Sequence, residues 1–216
     1  MTLRIKRILS KVYAMNKQYP DVAILILCGG KSRRMQGQDK GLIEINGKPL
    51  VSHSLDILSG QFDHIFISAN RNLDNYASLG FEVFPDKLLD SGPLGGINAG
   101  LSRIKQSWLL ITPCDTPHIS LAIAERLLKA AKEDDSYDVY VANDGNCPQY
   151  LHALLRLRLN NHSNNLLESI ELFLAKDKAV KNWYQTLNSQ EVDCADLAEQ
   201  FGNINTPEDL NEILRI

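Results

Sequence analysis

The run Asp21–Cys28 (DVAILILC), followed at once by Gly29-Gly30, constrains the fold more than any other stretch of the chain. It is continuously apolar and β-branched, without the alternation of a half-exposed strand. That pattern belongs to a strand buried on both faces, as in a parallel sheet covered by helices. The sequence downstream supplies the other parts. Pro49 opens a helical stretch to about Ser59, with Val51, Leu55 and Leu58 on one face. His64–Ser68 and Phe81–Phe84 read as strands, separated by a helix around Asn72–Leu79 that Gly80 stops. Leu94–Ile104 reads as a helix and Trp108–Thr112 as a strand. Ser120–Lys132 is an amphipathic helix with Ile123, Leu127 and Ala130/Ala131 inward, and Asp138–Ala142 and Tyr150–Leu155 are strands. Residues Arg156–Leu187 read as helical throughout, Gln190–Cys194 and Phe201–Asn203 as short extended pieces, and Pro207–Leu214 as a closing helix. Strands alternating with helices predict βαβ units, hence a mainly parallel three-layer α/β/α sandwich. No internal repeat or linker interrupts the chain, so residues 21–216 are expected to form one domain.

Charge is distributed unevenly. Five of the 23 basic side chains fall in residues 1–20, which hold no acid, leaving 18 against 26 acidic ones, or −8, for the remainder. Such an acidic body is a poor general surface for nucleic acid, so any phosphate binding is expected in a local pocket. No apolar run approaches the ~18 residues of a membrane span. Cys28, Cys114, Cys147 and Cys194 lie far apart without zinc-ligand spacing, and they read as reduced thiols of a cytoplasmic protein. The first fourteen residues interleave Leu3, Ile5, Ile8, Leu9, Val12 and Tyr13 with cations, as in a basic amphipathic helix. No secretory signal follows from them. They read either as a surface anchor or as an upstream start before Met15, and in both cases residues 1–20 are expected to lie outside the fold.

Four segments bear chemistry. In the first, Leu27-Cys28-Gly29-Gly30 leads into a loop holding Lys31, Arg33, Arg34 and, further on, Lys40. Paired glycines let backbone N–H groups approach an anion, and four cations can neutralise a triphosphate; the alternative is a solvated basic turn. Leu25 stands where a Walker A loop needs Gly, and no G-x-G-x-x-G follows the strand. In the second, Pro113-Cys114-Asp115-Thr116-Pro117 puts a carboxylate at a strand's end, suited to Mg²⁺ or to a turn cap. In the third, Asp90-Ser91-Gly92-Pro93-Leu94-Gly95-Gly96 enters a helix, either to meet an anion or flat ring or merely to pack tightly. In the fourth, Asn203-Ile204-Asn205-Thr206-Pro207-Glu208 precedes the last helix. Thr206 caps that helix and Asp209 reaches back, while the asparagines can reach a metal or phosphate.

Taken in order, L-x-G-G-x-S-x-R-M, D-K, N-G-K-P-L, G-P-L-x-G, P-C-D-T-P and N-x-N-T-P-E resemble the molybdenum cofactor guanylyltransferase family, from about Val22 to Leu214. That family lies within the nucleotidyltransferases of glycosyltransferase-A-like fold. The resemblance implies a Rossmann-like sheet of the nucleotide-diphospho-sugar transferase type, GTP and molybdenum-bearing molybdopterin as substrates, and Mg²⁺ as cofactor. It also implies transient contact with molybdoenzyme chaperones. By the same resemblance Leu27, Cys28, Gly29, Gly30, Lys40, Asp86 and Asp115 contact GTP, Asp115 holds the metal with Asn205 as second contact, and Arg34 and Lys40 stabilise the leaving pyrophosphate. Cys28 replaces the family's usual Ala, and Ser68 stands where the family often has Asn, which makes Asn70 the alternative nucleoside contact. Gln149, after the Asp144-Gly145 turn, is a candidate for pterin contact, whereas His53, His118 and His152 read as structural or surface residues. Two other readings compete: a cytidylyltransferase on the same pterin or a sugar-like phosphate, and a non-catalytic pterin chaperone. Retention of Arg34, Lys40 and Asp115 argues against the chaperone.

Overall fold

A computed structural model describes residues 18–29, 37–88, 90–157, 166–204, 206 and 209. In chain order its elements are β1 (Val22–Leu27), a 3-10 turn (Lys40–Leu42), β2 (Glu44–Ile45), β3 (Lys48–Pro49), α1 (Leu50–Leu58), β4 (His64–Ser68), α2 (Leu73–Ala77), β5 (Glu82–Phe84), α3 (Pro93–Leu101) and β6 (Trp108–Pro113). There follow α4 (Leu121–Glu133), β7 (Val139–Asn143), β8 (Pro148–Arg156), α5 (Leu166–Leu174), α6 (Val180–Tyr184), β9 (Ser189–Asp193) and a 3-10 helix (Ala195–Phe201).

The apolar run of β1 is buried at all six positions because it lies in the middle of a seven-stranded sheet of order β5-β4-β1-β6-β8-β7-β9. Successive side chains enter opposite layers. Val22, Ile24 and Ile26 pack with Val51, Leu55 and Leu58 of α1 and with Ile123 and Leu127 of α4. Ala23, Leu25 and Leu27 pack with Leu94 and Ile97 of α3, Ile170 of α5 and Trp183 of α6. The result is the expected α/β/α sandwich. β4, β1 and β6 run parallel, as do β5 beside β4 and β9 beside β7, while β8 is antiparallel to both its neighbours. The carboxyl ends of β5, β4, β1, β6 and β7 therefore share one edge with the start of β8.

Three local expectations change. Arg156 closes β8, and α5 and α6 are separate helices, so 156–187 is not helical throughout. The Asp177 carboxylate accepts from the backbone N–H of Lys178 at 2.6 Å and of Ala179 at 3.1 Å, a local turn that competes with helix continuation. Phe201 ends a 3-10 helix rather than starting an extended piece, the turn beginning where Asp193 accepts from the Ala195 N–H at 2.9 Å. β2 and β3 form a hairpin absent from the sequence reading, turned by Asn46 (φ 52°) and Gly47 (φ 74°). Two successive positive φ angles are what a two-residue Asn-Gly hairpin requires. Thr206 and Asp209 exchange the expected bonds, Thr206 N to Asp209 Oδ2 at 2.9 Å and Asp209 N to Thr206 Oγ1 at 3.2 Å.

Candidate active site

A cavity of about 500 Å³ opens on the carboxyl edge of the sheet. Its floor is the end of β1 (Leu27, Cys28, Gly29), with the ends of β4 (Ser68) and β6 (Pro113, Cys114, Asp115), the start of α3 (Gly92, Pro93, Gly96), and Asp86 around it. Open α/β sheets bind ligands at this edge, where strands end and loops begin. Lys40 and Asp115, 75 residues apart in sequence, meet here: Nζ donates to Oδ2 at 3.1 Å, with side chains 19% and 18% exposed. The Ile204 N–H donates to the Asp115 carbonyl at 2.9 Å, which ties the N-x-N segment to the same turn and sets Asn203 on the cavity wall.

The lysine is held from both sides. Just before it, the buried Asp39 carboxylate accepts from Tyr76 Oη at 2.6 Å and Asn72 Nδ2 at 3.0 Å, and Arg71 Nε lies 3.5 Å from it. Burial raises the Tyr76 hydroxyl above the ordinary tyrosine value, so it remains a donor. Arg71 also donates to the carbonyls of Gly37 at 2.6 Å and Gln38 at 2.9 Å. Just after the lysine, a Cβ on Gly41 would lie 2.5 Å from Tyr76 Oη, so that position accepts no side chain.

At the other end of the cavity stands Asp86. Ser68 Oγ donates to its Oδ1 at 3.1 Å and Asn70 Nδ2 to its Oδ2 at 2.8 Å, while the Asp86 N–H returns a 2.9 Å bond to Asn70 Oδ1. Burial raises its pKa above the ordinary carboxylate value, and the bonds from Asn70 and Ser68 oppose that rise. Ser68 thus faces the cavity, and Asn70 serves by orienting Asp86. The glycines of α3 keep this end open: a Cβ on Gly95 would lie 2.6 Å from Asp86 Oδ2, and one on Gly96 would lie 2.6 Å from Ser68 Oγ.

The far wall comes from β8. Ala142 pairs with Gln149 but Val141 with Ala153, so Tyr150, Leu151 and His152 bulge out of the ladder and line the cavity with Gln149. Gln149 Nε2 donates to Asp144 Oδ2 at 2.7 Å, and Asp144 accepts from the N–H groups of Asn146 and Cys147, both at 2.8 Å. The Asp144-Gly145 segment is thereby a self-contained hairpin turn, with Gly145 at φ 91°. Of the two readings given for His152 the structural one holds: it is 3% exposed, edge-on to Phe201, with Nδ1 unpartnered among the described residues, and burial drops its pKa to about 3. His53 has the structural contact expected of it, Nε2 to the Ile45 carbonyl at 3.3 Å. Cys28 and Cys114 are buried free thiols at the ends of adjacent strands, and burial pushes Cys28 well above the usual thiol range, which leaves it unreactive.

Asp115 suits Mg²⁺. Its carboxylate stands at the cavity edge, and its Oδ1 makes no hydrogen bond among the described residues. Among those residues there is no cluster of three or more His, Cys, Asp or Glu side chains that would hold a metal alone. A single protein carboxylate completed by substrate phosphates and water is an ordinary arrangement for Mg²⁺. Gly30, Arg34 and Asn205 lie outside the described residues. Leu27, Cys28, Gly29, Lys40, Ser68, Asp86 and Asp115 come together in one cavity. Arg71, Asn72 and Tyr76 were not singled out by sequence, since their contacts with residues 37–39 are long-range; the structure shows Asn72 in the left-handed region at φ 50°.

A mostly parallel open sheet with a lysine–carboxylate pair and a glycine-lined cavity on its carboxyl edge defines a nucleotide-binding α/β protein of the nucleotidyltransferase class. The model of the MobA-like NTP transferase domain matches residues 24–192, and the chain belongs to that family. A molybdenum cofactor guanylyltransferase of Vibrio parahaemolyticus is 42% identical over 188 residues, covering 86% of this chain and 91% of the relative. Another from Vibrio atlanticus is 41% identical over 192 residues, covering 87% and 93%. The solved structure of molybdopterin-guanine dinucleotide biosynthesis protein A from Archaeoglobus fulgidus superposes with a TM-score of 0.73 at 21% identity, covering 89% of this chain and 97% of that one.

Proposed function

We propose that this chain transfers the guanylyl group of GTP to the terminal phosphate of molybdenum-bearing molybdopterin, giving the pterin guanine dinucleotide and pyrophosphate. The observation that carries this reading is the meeting of Lys40 and Asp115 in a nucleotide-sized cavity, in a chain similar over 86% of its length to a named guanylyltransferase. A terminal phosphate oxygen of the pterin attacks the α-phosphorus of GTP in line. A new P–O bond forms, the bond to the bridging oxygen of the β-phosphate breaks, and pyrophosphate leaves. The nucleophile is a phosphate monoester with its second pKa near ~6, so it arrives already ionised near pH 7 and needs no general base. His152, neutral at that pH, is not called upon as one.

The protein's task is to align two polyanions and offset their repulsion. Lys40 donates to the nucleotide phosphates, and Arg34 is assigned with it to the charge that builds on pyrophosphate. Asp86, oriented by Ser68 and Asn70, faces the nucleoside, with Gly96 leaving it room. Leu27, Cys28 and the Gly29 backbone form the floor beneath it, and Gly30 is assigned to the nucleotide with them. Asp115 would hold Mg²⁺ with Asn205 as second contact; when bound, the ion supplies Lewis-acid neutralisation of the reacting phosphates. The β8 bulge, with Gln149, Tyr150 and His152, is the pterin side.

The test is to incubate the protein with Mg²⁺, molybdenum-loaded molybdopterin and each of the four nucleoside triphosphates in turn, and to weigh the products. The expected mass is that of the guanine dinucleotide, formed with GTP. A cytosine dinucleotide would change the substrate, and no dinucleotide with any triphosphate would sink the transferase reading.

A further inference from the structure

The connection from β4 to α2 does more than join two elements. Its Asn70 grips Asp86 at one end of the cavity, and the next residue, Arg71, grips the stretch that precedes Lys40 at the other. One guanidinium contacts three consecutive residues: the carbonyls of Gly37 and Gln38 through its two terminal nitrogens, and the Asp39 carboxylate at 3.5 Å through Nε. Asn72 and Tyr76 complete the hold on Asp39, and Gly41 is pressed against the Tyr76 ring. Lys40 therefore leaves the backbone between two anchored residues.

That matters because a lysine is a compact charge on a flexible four-carbon stem, which loses up to ~2 kcal/mol of rotamer freedom when ordered. Anchoring its backbone beforehand reduces what the nucleotide must order on binding. The rigid guanidinium fork suits this, since it can satisfy two carbonyls and a carboxylate together, as an ammonium cannot. We infer that Arg71 is a positioning residue for the GTP reaction, acting through Lys40 by clamping Gly37–Asp39. The inference rests on the reading of Lys40 as a phosphate contact.

If Arg71 acts through Lys40, its removal costs little once Lys40 is gone. The experiment is a double-mutant cycle of Arg71→Ala and Lys40→Ala, with GTP affinity read by displacement of a fluorescent GTP analogue. Arg71→Ala in the parent is expected to weaken GTP by roughly tenfold. In the Lys40→Ala background the same change is expected to shift affinity by no more than about twofold. Steady-state kinetics of the single variant should show the loss in kcat/KM for GTP, with KM for molybdopterin unchanged. Arg71→Lys should not restore affinity, whereas Tyr76→Phe, which removes one bond to Asp39 and keeps the ring, should give a smaller loss of the same kind. An equal loss in both backgrounds would overturn the inference, because Arg71 would then act on the nucleotide independently. Full affinity in Arg71→Ala would overturn it too. Full GTP affinity in Lys40→Ala alone would instead remove the reading of Lys40 on which it rests.

Discussion

Gly96 and Gly100 occupy equivalent places one turn apart on α3, both facing β1, and this permits a matched pair of substitutions. In Gly96→Ala the new Cβ would lie 2.6 Å from Ser68 Oγ and 2.8 Å from Leu27 Cδ2. In Gly100→Ala it would lie 2.9 Å from Leu25 Cδ2 and 3.5 Å from Ile104 Cδ1. Each variant overpacks the layer between α3 and β1, at a cost of about 1–3 kcal/mol, and each recovers about 0.5–1 kcal/mol of helix propensity. A net loss near ~1 kcal/mol lowers the melting temperature of a chain this size by about 2–4 °C, with Gly96→Ala the lower of the two because it also disturbs the Ser68–Asp86 bond. Their effect on the site differs. Leu27 Cδ2 is packed in the core layer beneath α3, whereas Ser68 Oγ borders the cavity and can turn about χ1, so the hydroxyl is the group that gives way. Its 3.1 Å bond to Asp86 then stretches beyond hydrogen-bonding range, and the methyl group occupies the end of the cavity proposed for the nucleoside. The misplaced Asp86 carboxylate and the added methyl group both oppose the nucleoside, so GTP affinity in Gly96→Ala should fall roughly 10- to 100-fold. Gly100→Ala, remote from the cavity, should bind GTP within about twofold of the parent. Calorimetric titration with GTP and thermal melts on the same preparations decide the matter. Equal GTP affinity in the two variants would refute the placement of the nucleoside against Gly96 and Ser68.

Asp115→Asn keeps an oxygen for Lys40 and leaves the Ile204 bond to the backbone carbonyl intact, so its melting temperature should stay within about 4 °C of the parent. Turnover should drop by about 10²–10⁴, or 3–5 kcal/mol; a rate within threefold of the parent would reduce Asp115 to a turn residue. For pH, the folded His152 titrates near 3 and an unfolded histidine near ~6.5. The unfolded state therefore binds the extra proton between those values, and stability is lost as pH falls through that window, by up to about 1.4 kcal/mol per pH unit. His152→Phe should flatten the dependence of urea midpoint on pH between 6.5 and 4.5, and an unchanged slope would contradict the buried neutral imidazole. Removing residues 1–14 should leave melting temperature and turnover unchanged, since every chemistry-bearing segment lies downstream. Loss of most activity would assign that segment to the site.

How much could be read in advance depended on whether the physics was local. β1 was legible because burial on both faces leaves an unbroken apolar run, and α4 because its inward side chains recur at helical spacing. The break between α5 and α6 was not: it turns on one Asp177 carboxylate capturing two backbone N–H groups, in a stretch whose composition otherwise favours helix. The β2–β3 hairpin had a signal, Asn46-Gly47, too short to stand out beside the helix that follows. Leu27, Cys28, Gly29, Lys40 and Asp115 stood out because glycines, a cation and a carboxylate follow strand ends, whereas Ser68 and Asp86 were named only through the family resemblance; all seven line one cavity. Arg71, Asn72 and Tyr76 were not legible, because their partners lie 32 to 37 residues upstream and no local pattern encodes such a contact.

That long-range set explains how an open edge can be made rigid. Loops beyond a sheet have few buried contacts and gain order mainly by tying themselves to a strand. Here the end of β4 provides the tie in both directions. Cys28 N–H bonds to the Ser68 carbonyl at 2.8 Å and Ala69 N–H to the Phe84 carbonyl at 3.1 Å, which fix β4 between its neighbours. From that fixed point Ser68 and Asn70 reach Asp86, while Arg71 and Asn72 reach the residues before Lys40. Asn72 takes a left-handed backbone to do so, a strain of order 1 kcal/mol. The strain is tolerated because its side chain satisfies a carboxylate that is 5% exposed and would otherwise lose one of its donors. Asp86 and Lys40, proposed to face the base and the phosphates, are thus referred to one strand end. On that reading the spacing of the two halves of the site is a property of β4 rather than of either loop.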